Sequence, residues 1–280
     1  MVERRTLAGL TIVVVACLAL RGAHIVFELQ SPAEPFESEK IARNLVEGRG
    51  YSYTYWGKRM PTAGAPPGLV FVLAALYGTG VPEPDTVFRF LQAGLAAASL
   101  VLMWWLAARA FDQRVAWLAA GLFLFDLNLS FSVTWVQETA LNIFLTLAGL
   151  CSLVWLSDRP RLGRAAVCGL VFGLGMLVRP TTGAIFAAGL AWFTLTATRS
   201  AKGAQNRLQA GSSPRAQTPP GPAARFKAVG VAVAVAVLVL APWTLRNYLV
   251  FGRFIPVSQN LGLSLWYGYN PRATGSQVDV

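Results

Sequence analysis

Carboxylates are the scarce chemical resource of this 280-residue chain, and their placement indicates where it can do chemistry. Of 13 acidic residues, seven fall between Glu28 and Asp85: Glu28, Glu34, Glu37, Glu39, Glu47, Glu83 and Asp85. A carboxylate held near a hydroxyl can act as a general base. Within PFESEKIARNLVEG, the residues Ile41, Ala42, Leu45 and Val46 form an apolar stripe, and Gly48 suits a C-cap. The segment therefore reads as a short amphipathic helix lying along a membrane surface. Glu39 and Glu47 each stand four residues from Arg43 and have ordinary ion-pair roles. Glu37 has only Lys40 nearby, which leaves it the least accounted-for carboxylate of the helix.

Further along, Glu138 opens the apolar run TWVQETALNIF, where a helix dipole favours negative charge. Asp126 falls inside LFLFDLNLS and reads as polar glue within a span, with Asn128 beside it. Tyr51, Tyr53 and Trp56 form either an interfacial aromatic belt or a platform for a sugar or lipid headgroup. Lys58, Arg59, Arg179 and Arg246 are the cations placed to meet a phosphate, arginine being suited to that anion. Each also has a simpler reading, as surface charge or as a side chain snorkelling at a helix end. His24 is the only histidine, so histidine-based triads gain no support. Cys17, Cys151 and Cys168 all lie in apolar runs, which argues for small buried hydrophobes and against a disulfide framework or a metal site.

The elements that must position these groups can be read from composition. The chain is 55% hydrophobic and only 13% charged, against about 25% charged in soluble domains. A water-soluble surface cannot be built from that supply, so the chain reads as an all-α, polytopic membrane bundle. Runs long enough for crossings are Thr6–Phe27, Thr86–Ala108, Val115–Thr134, Glu138–Ser157, Leu162–Val178, Thr181–Ala197 and Ala228–Leu249, about seven helices. Arg179-Pro180 splits the long stretch Leu162–Ala197 into two. The shorter run Gly68–Val81 decides the topology. If it does not span and the N-terminus is inside, the six-cation loop Thr198–Lys227 faces inward, as the positive-inside rule requires. The net charge of +11 is then an orientation signal rather than a nucleic-acid groove. Residues 28–85 become a first outer loop, 198–227 a disordered cytoplasmic linker, and 250–280 an outer C-terminal segment.

Four stretches carry a family resemblance: FESEKIARNLVEGRGYS, PTAGAPPGLVFVLAALYGTG, TWVQETALNIF, and APWTLRNYLVFGRFIPVSQNLGLSLWYGYNPRATG. In order and spacing they resemble the GT-C membrane glycosyltransferases, most closely the family of protein mannosyltransferases and aminoarabinose transferases. The resemblance implies membrane-parallel helices in the first outer loop. It also implies a polyprenyl-phosphate-linked sugar as donor, with no further cofactor, and a hydroxyl on a protein, lipid or glycan as acceptor. By position, the implied base is Glu37 or Glu34, with Glu138 as the second acid. Ala65 stands where many relatives carry lysine, so Lys58, Arg59, Arg179 or Arg246 would have to meet the phosphate. Relatives are usually longer, which leaves open a minimal seven-span module or an incomplete chain. The alternative reading is a non-catalytic lipid-phosphate binder or assembly subunit. Arginine exceeds lysine 20 to 4, which points to a GC-rich genome and so to the plasma membrane of a prokaryote, with a cytoplasmic N-terminus.

Overall fold

The computed structural model describes residues 2–29, 36–55, 57–209, 222–259 and 269. Among the described residues, ten helices and one hairpin run in order: α1 (Val2–Glu28), α2 (Glu37–Val46), β1 (Ser52–Tyr55), β2 (Lys58–Pro61), α3 (Pro67–Gly78), α4 (Pro84–Ala110), α5 (Gln113–Leu124), α6 (Leu127–Ser132), α7 (Thr139–Asp158), α8 (Leu162–Val178), α9 (Thr182–Gln209) and α10 (Pro222–Phe251). Among the described residues, four helices are long and apolar enough to cross a membrane: Thr6–Glu28, Pro84–Ala110, Thr139–Asp158 and Ala223–Phe251.

The expected count of seven is not reproduced, for local reasons. Val115–Thr134 is not one helix. It breaks at Phe125 and Asp126, and the Asp126 carboxylate accepts a hydrogen bond from the Leu129 N–H at 2.7 Å, capping α6. Asp126 is therefore a helix cap and not glue within a span. At 17 residues, α8 is about 25 Å long, short of a hydrocarbon core of about 30 Å. The Arg179-Pro180 break ends α8 where expected, and the apolar part of α9 beyond it, Thr182–Leu195, is also short. Gly68–Val81 forms a 12-residue helix, α3, with Pro67 in its first turn.

The expected linker 198–227 is helical at both ends, since α9 continues to Gln209 and α10 begins at Pro222. Residues 210–221 lie outside the described residues. Arg225 is buried instead of solvated; its guanidinium donates to the Phe193 carbonyl at 3.1 Å and lies over the Phe193 ring.

Packing rests on small residues. Leu153, Phe172, Phe186, Phe193 and Ala232 build one core from α7, α8, α9 and α10. Where α8 crosses α10, Gly169 faces the Ala232 backbone and Gly173 faces Val239, so neither position has room for a Cβ. In lipid, where apolar solvent weakens the hydrophobic drive between helices, such close approach supplies the dispersion contact. A second core joins Ile41, Ala42, Leu69, Leu73, Phe88, Val136 and Trp243, drawing α2, α3, α4, α10 and the segment before α7 together. The apolar stripe of α2 thus packs on protein. In α1, Arg21 is fully buried, donating to Cys17 Sγ at 2.8 Å and to the Phe123 carbonyl at the end of α5 at 3.2 Å.

Gly169→Ala is expected to lower thermal stability in detergent by about 1–3 kcal/mol, the usual cost of overpacking. Gly163→Ala, at a helical site with open space around it, serves as the control and should leave the melting temperature unchanged or higher.

Candidate active site

The first loop is folded back on itself by a hairpin. Tyr51 leads into β1, Tyr53 and Tyr55 alternate along it, and Gly57 turns the chain with φ +76°, a left-handed conformation that glycine adopts without strain. Pairing runs Ser52 to Pro61, Tyr53 to Met60, Thr54 to Arg59 and Tyr55 to Lys58. Although no strand was expected here, the alternating tyrosines before Trp-Gly were the available signal.

This hairpin carries a hydroxyl chain to Glu37. The Tyr55 hydroxyl donates to Glu37 Oε1 at 3.2 Å and lies 3.1 Å from Thr62 Oγ1, which itself accepts from the Gly64 N–H at 2.9 Å. A Cβ at Gly64 would stand 2.6 Å from Glu37 Oε1, so this glycine makes the room in which the carboxylate sits. Burial pushes the Glu37 carboxyl above the ordinary range; the Tyr55 hydroxyl and the Ala65 backbone partly oppose that rise. Glu39 is engaged differently from expectation. It accepts from the Phe36 N–H at 2.8 Å and closes the first turn of α2. Arg43 reaches Asp85 at 2.7 Å, and Glu47 pairs with Arg49.

Glu138 is the residue just before α7; its half-buried side chain has no hydrogen bond or ion pair among the described residues. Its neighbourhood meets that of Glu37, because Phe36 stacks on Trp135 with ring centres 5.6 Å apart and Val136 packs in the core beside Ile41. Buried Gln92 fixes this segment by donating to the Trp135 carbonyl at 2.7 Å. Arg179 lies at the turn between α8 and α9 with its side chain exposed. The preceding Val178 backbone is pressed against Gly68, where a Cβ would come within 2.8 Å of the Val178 nitrogen. One short segment, Gly64–Gly68, therefore touches Glu37 at one end and the Arg179 turn at the other.

Arg246 is engaged by the protein itself. Its Nη1 donates to the Thr62 carbonyl at 2.8 Å and to Asn247 Oδ1 at 2.9 Å, while Nη2 donates to the Tyr51 carbonyl at 3.0 Å. The Tyr51, Trp243 and Phe251 rings surround it at 4.9–5.4 Å. Tyr51 is likewise occupied: it is buried, donates to the Ala65 carbonyl at 2.8 Å, and packs on Trp243. It offers no open stacking face. Tyr53 is half-buried, and Lys58 and Arg59 are exposed on β2. Glu34 and Trp56 lie outside the described residues. Thr62 and Gly64 went unrecognised as site residues, because the spacing that joins them to Glu37 exists only once the hairpin forms.

A secluded carboxylate in the first loop, on a largely apolar helical bundle, agrees with a membrane transferase of GT-C type. The family model described as dolichyl-phosphate-mannose-protein mannosyltransferase matches residues 65–209, just over half of the chain, and the protein belongs to that family. The match contains Glu138 and Arg179, whereas Glu37, Tyr55 and Arg246 lie outside it. A comparison with curated proteins returns no match.

Because burial raises the Glu37 carboxyl, its charged form is the less stable one in the folded chain. Glu37→Gln should therefore raise the melting temperature at neutral pH. The difference should vanish below the ordinary carboxylate range, where Glu37 is protonated both folded and unfolded. Tyr55→Phe removes a bond that favours the ionised form, so it should move the acid limb of any pH–rate profile to higher pH.

Proposed function

We propose that this membrane glycosyltransferase moves a sugar from a polyprenyl-phosphate-linked donor to an acceptor hydroxyl at the outer face, with inversion at the anomeric carbon. The observation that carries the reading is Glu37. It is a half-buried carboxylate of raised pKa, held by a tyrosine hydroxyl and packed closely on Gly64. Glu37 takes the proton from the acceptor hydroxyl as that oxygen attacks the anomeric carbon. The bond from that carbon to the phosphate oxygen breaks, and its electron pair leaves with the polyprenyl phosphate. Arg179, across the Gly64–Gly68 segment, is placed to stabilise the departing charge. Glu138 orients the acceptor or the base from the start of α7. Glu34 is the alternative base, and Lys58 or Arg59 the alternative phosphate contacts. The acceptor is a protein, lipid or glycan hydroxyl, and the setting is a prokaryotic plasma membrane with the N-terminus inside.

Transfer from a synthetic prenyl-phosphate sugar by the purified chain provides the test. Glu37→Gln should cut turnover by about 10²–10⁴-fold, the range of a lost general base. Glu34→Gln should retain it. Arg179→Ala should slow release of the prenyl phosphate. Full activity in Glu37→Gln removes the base assignment, and donor binding without turnover in the unaltered chain favours a lipid-phosphate binder.

A further inference from the structure

The polar face of α2 borders a cavity of about 490 Å³ that has no part in the sugar transfer as proposed. Lys40 and Asn44 from α2 and Glu47 just after it line it, together with Arg49, Tyr53 and Thr54 from the turn and β1; Arg43 completes the wall. Its chemistry is mixed. One wall is the Tyr53 ring, with Lys40 Nζ 6.0 Å from the ring centre. Three cations face one acid, and two of those cations are already oriented: Arg43 by Asp85 and Arg49 by Glu47. Asn44 is fixed by donating to the Ser52 carbonyl at 2.9 Å. Lys40 has no ion pair among the described residues. An aromatic face beside fixed donors and acceptors suits the CH-rich face and hydroxyls of a sugar ring. The excess of cations suits a negative substituent on that sugar.

The cavity also has a direct connection to the proposed base. Tyr53 packs edge-to-face on Tyr55 with ring centres 4.8 Å apart, and the Tyr55 hydroxyl holds Glu37. Glu37 is thus linked through the Tyr53–Tyr55 pair to a polar, aromatic-walled cavity.

Resting on the transferase reading, we propose that this cavity is the acceptor subsite and that it takes a saccharide carrying an anionic group, phosphate or carboxylate. Its occupant presents a hydroxyl toward Glu37 past the Tyr53–Tyr55 pair. Lys40 and Arg49 hold the anionic group, and Tyr53 carries the ring.

Glucose 6-phosphate and glucose are the probes, measured by saturation-transfer NMR on the full chain in detergent. The phosphorylated sugar should bind about tenfold more tightly, the size of one charge-assisted contact. Lys40→Glu with Arg49→Glu should erase that preference, and Tyr53→Ala should weaken both sugars, each at an unchanged melting temperature. Equal binding of the two sugars overturns the proposal, as does unaltered binding by the double variant. Displacement at equal affinity by inorganic phosphate overturns the saccharide assignment, and so does displacement by phosphatidylglycerol added to the micelles. Parallel transfer assays separate the two readings. Transfer without probe binding overturns the subsite alone, whereas probe binding without transfer supports the saccharide site and overturns the transferase reading.

Discussion

Arg246 holds the first loop in place. The residues it joins are far apart in the chain: its two amino groups take the carbonyls of Thr62 and Tyr51, 184 and 195 positions away. Those carbonyls belong to residues flanking the hairpin, where the Thr62 N–H also donates to the Tyr51 carbonyl. The same helix end secures the chain beyond α10. Trp243 and Asn247 both donate to the Val257 carbonyl, and Asn247 also to that of Ile255, while the Gln259 N–H reaches the Ala63 carbonyl. The loop that carries Glu37 is therefore sandwiched between α10 and the segment after it. Three aromatic rings shield the guanidinium, and an arginine that satisfies carbonyls on both hairpin flanks cannot be exchanged for lysine, which lacks the planar fork.

This clamp sets the geometry of the site. With Tyr51 and Thr62 pinned, β1 and β2 project Tyr55 toward α2, and the chain after Thr62 passes Glu37 before entering α3. Gly64 and Gly68 are spaced four apart because two close approaches are needed along one strip, one to a carboxylate and one to the α8 backbone. The acidic residue, the tyrosine and the arginine turn then occupy neighbouring positions without any long, exposed loop.

Much of this was legible in the sequence, unevenly. The scarcity of acids led to Glu37, and burial with a single hydroxyl partner agrees with its lack of a helix neighbour. The boundaries of α8 and the stop at Arg179 were set by Pro180. Gly68–Val81 was too short for a crossing, and it is a 12-residue helix. Other features depend on distant contacts that periodicity does not encode. The clamping role of Arg246 was not legible, because its carbonyl partners lie nearly two hundred residues away. Tyr51 looked like a surface aromatic because Trp243 covers it only in the folded chain. Arg43 looked like the partner of Glu39 and Glu47, but Asp85 from the first turn of α4 reaches it first. Asp126 read as buried glue, because a hydropathy window cannot distinguish one kinked crossing from two capped helices.

Arg21 bears on how the bundle comes to exist. It lies in α1, a helix otherwise suited to lipid, yet its Nη2 donates to a carbonyl 102 residues later. A cation at that depth is costly in hydrocarbon when unpaired. Until α5 has been synthesised and has docked, α1 holds a charge that lipid cannot solvate. The settling of α1 in the bundle is thus tied to the carbonyl end of α5.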